Sequence, residues 1–377
     1  KKKLSVVLIS TSIVVILIIA SFFIFNFNNK IVNVLNKSSI DDYNNFIITG
    51  TKSSGVFISF NNGKNFKKLE HPLLKDDKGY YKEITKILMF GNREYILVTK
   101  KDGLIYTQNG GEDFITLNNG LPKKTLIIED RKVKDEYREI KDITKDTENA
   151  NELFLVTKFE IYRSINRGKS WNLYERPAGY FNDINAIAFS TKLGFHLFLG
   201  CAYNGLFIQE RENTKWKRLN NGLKKAAAIN EEVSSILIER ENPVNVYAGH
   251  YYGNTLLRLS ETGIIYKKDA QGRTTGFSSR HRHWTNINLP FKKYRGTVEV
   301  LNDIKDIQIV TIGEKRSLVV LSNLGAAMSQ DDGKTWVKFD VLKYLRDFAN
   351  IQDVNILGIY RNNKLQFCFN SLELLTK

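Results

Sequence analysis

The chain has 377 residues, 42% apolar and 25% charged, a globular balance that excludes wholesale disorder. Five prolines and 25 glycines exclude collagen-like or Pro-rich architectures, and two cysteines, Cys201 and Cys368, cannot build a disulfide framework or a multi-cysteine metal cluster. Lys and Arg outnumber Asp and Glu by 56 to 40, a net +16 that favours anionic partners without choosing among them.

Three lysines, Lys1 to Lys3, precede an uncharged run whose apolar heart spans Leu4 to Phe25. At about 1.5 Å per residue that run makes a helix of about 33 Å, enough for a hydrocarbon core of about 30 Å. Ser5, Ser10, Thr11 and Ser12 are tolerable there because a helix satisfies its own backbone. The run is longer than the apolar region of a cleaved signal peptide, and Ile18-Ile19-Ala20 is a poor cleavage site. Residues 1–29 therefore read as a cytoplasmic Lys stub followed by a signal-anchor helix that holds the bilayer through residues 4–25. The lysines before the span place residues 30–377 outside the cytoplasm, in the periplasm or beyond, on a single-pass inner-membrane protein.

Four later segments share one pattern: Ser59-x-Asn61-x-Gly63-x-x-Phe66, Thr107-x-Asn109-x-Gly111-x-x-Phe114, Ser164-x-Asn166-x-Gly168-x-x-Trp171 and Ser329-x-Asp331-x-Gly333-x-x-Trp336. A worn copy from Gln209 to Trp216 keeps only the aromatic. The hydroxyl and the Asn or Asp side chain stabilise a tight reversal, and Gly permits positive φ. Two strand-like runs precede each intact copy, and the tail Leu-Asn-Asn-Gly-Leu follows at 117–121 and 219–223. Such a period of hairpins resembles the Asp-box (BNR) repeat β-propellers, most of all the photosystem-assembly-factor and sortilin-type propellers. In that family the box joins the third and fourth strands of a blade, which implies a structural role for these residues. Sialidases of the family also carry Arg-Ile-Pro, an arginine triad and a Tyr/Glu pair; here no proline follows Arg-Ile and no arginine triad can be assigned, so no enzymatic activity is expected.

An all-β, seven-bladed propeller behind one transmembrane helix follows, with six blades as the runner-up. Blade 5 has an insertion from about Glu261 to His283 in place of a box, with Trp284 at the aromatic position. Val354–Tyr360, Leu365–Phe369 and Leu372–Leu375 read as three strands of a last blade. Its fourth strand would be Ile31–Leu35, closing the ring through its two ends and leaving no open edge. The first strand of blade 1 is expected around Ser39–Tyr43. The cysteines fall on the second strands of non-neighbouring blades, too far apart to bridge.

The face opposite the boxes is built from loops between blades. Gly120–Glu139 is charged, with Lys123, Lys124, Arg131, Lys132 and Lys134. Leu223–Glu232 includes a helical-looking stretch, and Asp340–Asn350 reads as a short amphipathic helix carrying Tyr344 and Phe348. These are the candidate protein-binding loops, because recognition commonly rides on loops held by a rigid scaffold. The blade 5 insertion, with Arg273, Arg280 and Arg282, is a candidate contact for anionic lipid or glycan. His281-Arg282-His283 is surrounded by basic residues that oppose a bound cation, so neither metal nor cofactor is expected. No nucleic-acid motif is present and the topology opposes that partner. The expected function is a protein-binding scaffold or assembly factor for a cell-envelope complex, acting on other envelope or membrane proteins. The alternative is a glycan-binding or glycoside-hydrolase-like envelope protein.

Overall fold

A computed structural model describes residues 45–60, 65–91, 93–128, 131–146, 148–178, 183–192, 194, 196–220, 232–239, 245–250, 255–259, 265–268, 274–278, 284–291, 294–295, 298–299, 304–312, 315–322, 324–339, 354–361 and 364–370. Among these the chain is an all-β propeller. Its first strands are β1 (Asn45–Thr51), β2 (Val56–Ser59) and β3 (Lys67–Lys68). A four-stranded sheet follows: β4 (Ile84–Met89), β5 (Tyr95–Thr99), β6 (Leu104–Thr107) and β7 (Ile115–Thr116). After a hairpin of β8 (Lys123–Ile128) and β9 (Arg131–Tyr137), the next sheet is β10 (Ile140–Lys145), β11 (Leu153–Thr157), β12 (Ile161–Ser164) and β13 (Asn172–Tyr174). Then come β14 (Ile184–Ser190), β15 (His196–Cys201), β16 (Gly205–Gln209) and β17 (Lys217–Arg218).

The following sheet takes β18 (Val233–Ile238), β19 (Val246–His250) and β20 (Thr255–Leu259), skips a hairpin of β21 (Ile265–Lys268) and β22 (Thr274–Ser278), and ends with β23 (Thr285–Asn288). A small ribbon of β24 (Tyr294–Arg295) and β25 (Val298–Glu299) leads to β26 (Ile304–Ile312), β27 (Lys315–Ser322), β28 (Gly325–Ser329) and β29 (Val337–Phe339). The last strands, β30 (Val354–Arg361) and β31 (Lys364–Asn370), join β1–β3 in one five-stranded sheet of order β3-β2-β1-β30-β31.

Neither seven nor six equivalent four-stranded blades are present among the described residues; there are five, with the composite sheet beside them. The strands expected to found a last blade instead complete the first. β1 has an open edge on its inner side, and β30 fills it antiparallel from Asn45↔Arg361 to Thr51↔Val354. Local alternation in 354–370 shows that strands exist but not which sheet they join. Ser39–Tyr43, Ile31–Leu35 and Leu372–Leu375 lie outside the described residues. No helix among the described residues is long and apolar enough to cross a membrane, and the anchor read at 4–25 also lies outside them.

The second strand of each four-stranded blade is buried along most or all of its described length, as in Tyr95–Thr99, Leu153–Thr157 and His196–Cys201. Both of its faces are covered by neighbouring sheets, which is why these strands read as continuous apolar runs rather than alternating ones. The core is accordingly a series of slabs between blades. Phe46, Ile48, Tyr95, Leu97 and Phe114 fill the first. Ile96, Val98, Leu155 and Trp171 fill the second, and Val156, Phe189, Leu199 and Phe207 the third. Outermost strands such as β7 and β17 are exposed.

Cys201 is a free buried thiol whose burial pushes its pKa up to about 12. It is therefore expected to resist a disulfide reagent at pH 8 in the folded protein and to react only on unfolding, which a colorimetric thiol assay checks. Tyr95 is fully buried and its hydroxyl has no hydrogen-bond partner. Tyr95→Phe is expected to leave stability unchanged or raise it by about 1 kcal/mol in urea unfolding, because it removes an unpaired polar group without changing the ring.

Candidate functional site

The recurrent turns use one set of bonds. Thr107 Oγ1 donates to Asn109 Oδ1 at 2.8 Å and accepts from Gly111 N at 3.0 Å, while Asn109 Oδ1 also accepts from Asp113 N at 3.0 Å. Ser164, Asn166 and Gly168 repeat this at 2.9 and 2.8 Å, with Ser170 N in the last role at 2.9 Å. Ser329, Asp331 and Gly333 repeat it at 2.8 and 2.7 Å, with Thr335 N at 2.8 Å. Each turn passes through two successive left-handed residues: Gly110 and Gly111, Arg167 and Gly168, Asp332 and Gly333. The two that are not glycine are tied down, Arg167 to Glu94 of the preceding blade at 2.9 Å and Asp332 to Arg316 at 2.6 Å. Thr335, bonding Asp331 through hydroxyl and amide, holds that carboxyl down at a pKa of about 2. In the first turn Ser59 is buried and Phe66 half-buried, and Asn61 and Gly63 lie outside the described residues.

The turn aromatics rivet each blade to the one before it. Trp171 Nε1 donates to Leu117 O at 3.0 Å, Trp216 Nε1 to Glu175 O at 3.1 Å and Trp284 Nε1 to Leu219 O at 2.7 Å. Trp336 bonds Gly333 O of its own turn at 3.1 Å while packing on the preceding sheet. In the worn copy Gln209 spans the turn instead, donating to Thr214 O at 2.7 Å and accepting from Tyr174 Oη at 2.6 Å. The Leu-Asn-Asn-Gly-Leu tails have a matching role. Asn118 Oδ1 accepts from Leu104 N and its amide donates to Asp102 O, and Asn220 does the same with Leu206 N and Asn204 O. A Cβ on Gly103 or Gly205 would strike these asparagines at 2.2 and 2.5 Å, so both hairpins require glycine.

These turns all lie at one end of the blades. The other end carries the turns between second and third strands and the connections between blades. There the expected loop Gly120–Glu139 is largely the β8–β9 hairpin, with pairing from Lys123↔Tyr137 to Ile128↔Arg131. Its charged residues masked an alternation that suits a two-stranded ribbon. Lys123 and Lys124 stand on β8, and Arg131, Lys132 and Lys134 on β9. Lys123 Nζ lies 5.0 Å from the Tyr137 ring centroid, while Lys124 and Lys101 both reach the buried Glu136 at 3.6 Å. Tyr137 N donates to Lys101 O at 2.9 Å, pinning the hairpin to the β5–β6 turn. Tyr344, Phe348, Arg273, Arg280 and Arg282 lie outside the described residues; the insertion that holds the three arginines contains the β21–β22 hairpin.

The same face exposes three aromatic rings that sequence reasoning missed: Tyr80 at 70%, Phe159 at 39% and Tyr203 at 53%. Tyr203 sits in the β15–β16 turn and Phe159 in the β11–β12 turn of the preceding blade. Asp183, between them in the chain, pairs with Lys158 at 3.1 Å and accepts from Ala202 N at 2.8 Å. Lys158 Nζ lies 5.1 Å from the Phe159 ring, and Arg176 holds the Phe159 carbonyl at 3.0 Å. Tyr80 adjoins Tyr81, whose ring lies under Lys68 Nζ at 3.8 Å and hydrogen-bonds Glu70. A sequence signal existed, since each ring stands where turn chemistry calls for a small or polar residue.

No protein-family model matches the chain, and no curated protein sequence does. Solved structures share its fold. A GH74 xyloglucanase from Xanthomonas campestris is 12% identical with a TM-score of 0.51, over 86% of this chain and 50% of that one. The extracellular domain of a B. thetaiotaomicron protein assigned as a hybrid two component system is 14% identical with a TM-score of 0.50, over 85% and 36%. YCF48 from Cyanidioschyzon merolae is 14% identical with a TM-score of 0.48, over 89% and 94%. The chain spans half or less of the first two. At these identities the likeness is one of fold.

Gly111→Ala is expected to destabilise the chain by about 2–3 kcal/mol in urea unfolding, because φ there is +95° and the added Cβ would lie 2.6 Å from Leu69 Cδ1. The Asp331 carboxyl contributes stability that is complete above its unfolded pKa, near 4, and is lost as pH falls through about 2. Thermal melts of wild type and Asp331→Asn should therefore converge as pH is lowered from 5 to 2.

Proposed function

We propose that the chain is a membrane-anchored, extracytoplasmic propeller that binds another envelope or membrane protein on the face opposite the Ser/Thr–Asn/Asp–Gly turns, as a scaffold or assembly factor. The observation that carries this reading is the set of exposed rings Tyr80, Phe159 and Tyr203 on the face that also bears the β8–β9 hairpin. Exposed aromatics with polar neighbours are the composition of protein-docking surfaces. Residues 4–25 serve as the anchor and enter the inner membrane from the cytoplasm. β1 ends at the β1–β2 turn on the binding face, so its Asn45 end lies at the opposite face. The described chain thus begins on the turn-bearing side of the ring. The structural residues of the turns take no part in binding.

Tyr80→Ser, Phe159→Ser and Tyr203→Ser combined should strip the co-purifying partners from a detergent-extract pull-down. Ile165→Ser with Leu173→Ser, exposed residues away from this face, should not. Unchanged partners in the triple variant, with folding intact by circular dichroism, would remove the reading. A glycan array on the same pair of variants decides whether the rings serve sugars instead. The anchor has its own check: the full chain should stay in the membrane pellet after alkaline extraction, and a chain starting at residue 30 should not.

A further inference from the structure

Among the described residues the β8–β9 hairpin is a sheet of two strands, with no third strand on either side. Such an edge offers a row of backbone donors and acceptors to any chain that can lie along it. Across the base of the hairpin Arg138 N donates to Pro122 O at 2.9 Å. Antiparallel alternation then turns the N–H and C=O of Lys123 and Thr125 outward, away from β9. Among the described residues no group bonds them. The outer edge of β9 is different. Its Tyr137 N is taken by Lys101 O at 2.9 Å. The register shift between Leu126 and Ile127 places its extra residue, Val133, on β9, which interrupts that edge and leaves β8 regular.

Strand β8 reads Lys-Lys-Thr-Leu-Ile-Ile, basic at one end and apolar at the other, with neither proline nor acid. Lys123, Lys124 and Thr125 are exposed. Lys124 shares the buried Glu136 with Lys101, each at 3.6 Å, so two cations meet one carboxylate. Among the described residues Lys123 meets no acid, only the Tyr137 ring at 5.0 Å. A strand laid along β8 is stabilised by opposite charge facing these lysines and destabilised by like charge. A second copy of β8 has no acid to offer, because Glu129 and Asp130 fall after its last residue. The net +16 of each chain also opposes that pairing.

We propose that an extended acidic segment of a partner protein adds to the β8 edge as a third, antiparallel strand. Two adjacent carboxylates face Lys123 and Lys124, and alternating apolar residues run on opposite residues 126–128. Main-chain bonds to Lys123 and Thr125 supply affinity, and the lysines select an acidic sequence. This inference rests on the docking reading above, since the hairpin stands on the face that bears Tyr80, Phe159 and Tyr203, and it names the chemistry of the partner.

Fluorescence anisotropy of the full chain in detergent tests it with a labelled, amidated peptide, Val-Thr-Val-Thr-Glu-Glu. Two controls accompany it, one with Lys for both Glu and one N-methylated at both threonines, whose amides would face β8. The acidic peptide is expected to bind at least tenfold tighter than either control. Thr125→Pro should weaken it at least tenfold while leaving the hairpin paired, because the N–H it removes points outward. Lys123→Glu with Lys124→Glu should reverse the preference between the acidic and the lysine peptide. Equal binding of the acidic peptide and either control, or unchanged binding to Thr125→Pro with folding intact by circular dichroism, overturns the proposal. So does a chain that ignores the peptide and forms a dimer that Thr125→Pro dissolves, which would make a second copy the occupant. If the peptide fails while the triple ring variant still strips partners in the pull-down, this proposal falls and the docking reading stands.

Discussion

A sheet that is apolar on both faces cannot stand alone in water. Everything in this fold follows from that constraint. Tyr95–Thr99 or His196–Cys201 would expose one whole apolar face if either neighbouring blade were removed, so each sheet is stable only as a member of a row. A row has two ends, and each end would show a bare apolar face. Curving the row until the ends meet removes both faces at once, and the composite sheet is where they meet. The polar fastenings fine-tune this arrangement. The indoles of Trp171, Trp216 and Trp284 satisfy carbonyls of the preceding blade, while the tail asparagines Asn118 and Asn220 satisfy backbone groups within their own.

Much of this was legible in the sequence because the turns are chemically explicit. A hydroxyl, an amide or carboxylate, a glycine and an aromatic at fixed spacing leave few conformations other than the one seen at Thr107–Phe114 and Ser164–Trp171. The strands before them announced themselves by continuous apolar runs. The ring's closure was not legible. Val354–Arg361 carries no mark that distinguishes a strand of its own blade from the missing inner partner of β1; that choice is made by which open edge is nearest when the ring forms. The β8–β9 hairpin escaped for a different reason, since its lysines and acids look like a solvated loop until Lys124 and Lys101 are seen converging on Glu136.

The two faces of the ring differ in what their residues do. On one, the side chains are spent on one another: Arg167 on Glu94, Arg316 on Glu239 and Asp332, Arg163 on Glu152. On the other, ion pairs such as Lys158–Asp183 hold turns in place while large rings beside them remain in water. Leaving Tyr203 and Tyr80 more than half exposed gains nothing for folding, and the hydrophobic effect alone would have favoured smaller residues there.

The placement of β30 against β1 also sets the order in which the molecule can be finished. Strand β1 emerges first among the described elements, yet its inner edge has no partner until residues 354–361 exist. For most of synthesis the blades must therefore wait as an open arc with two unsatisfied rims. Shortening the carboxyl end by a few tens of residues would strand the whole ring in that state, so a late frameshift should harm this protein as severely as an early one.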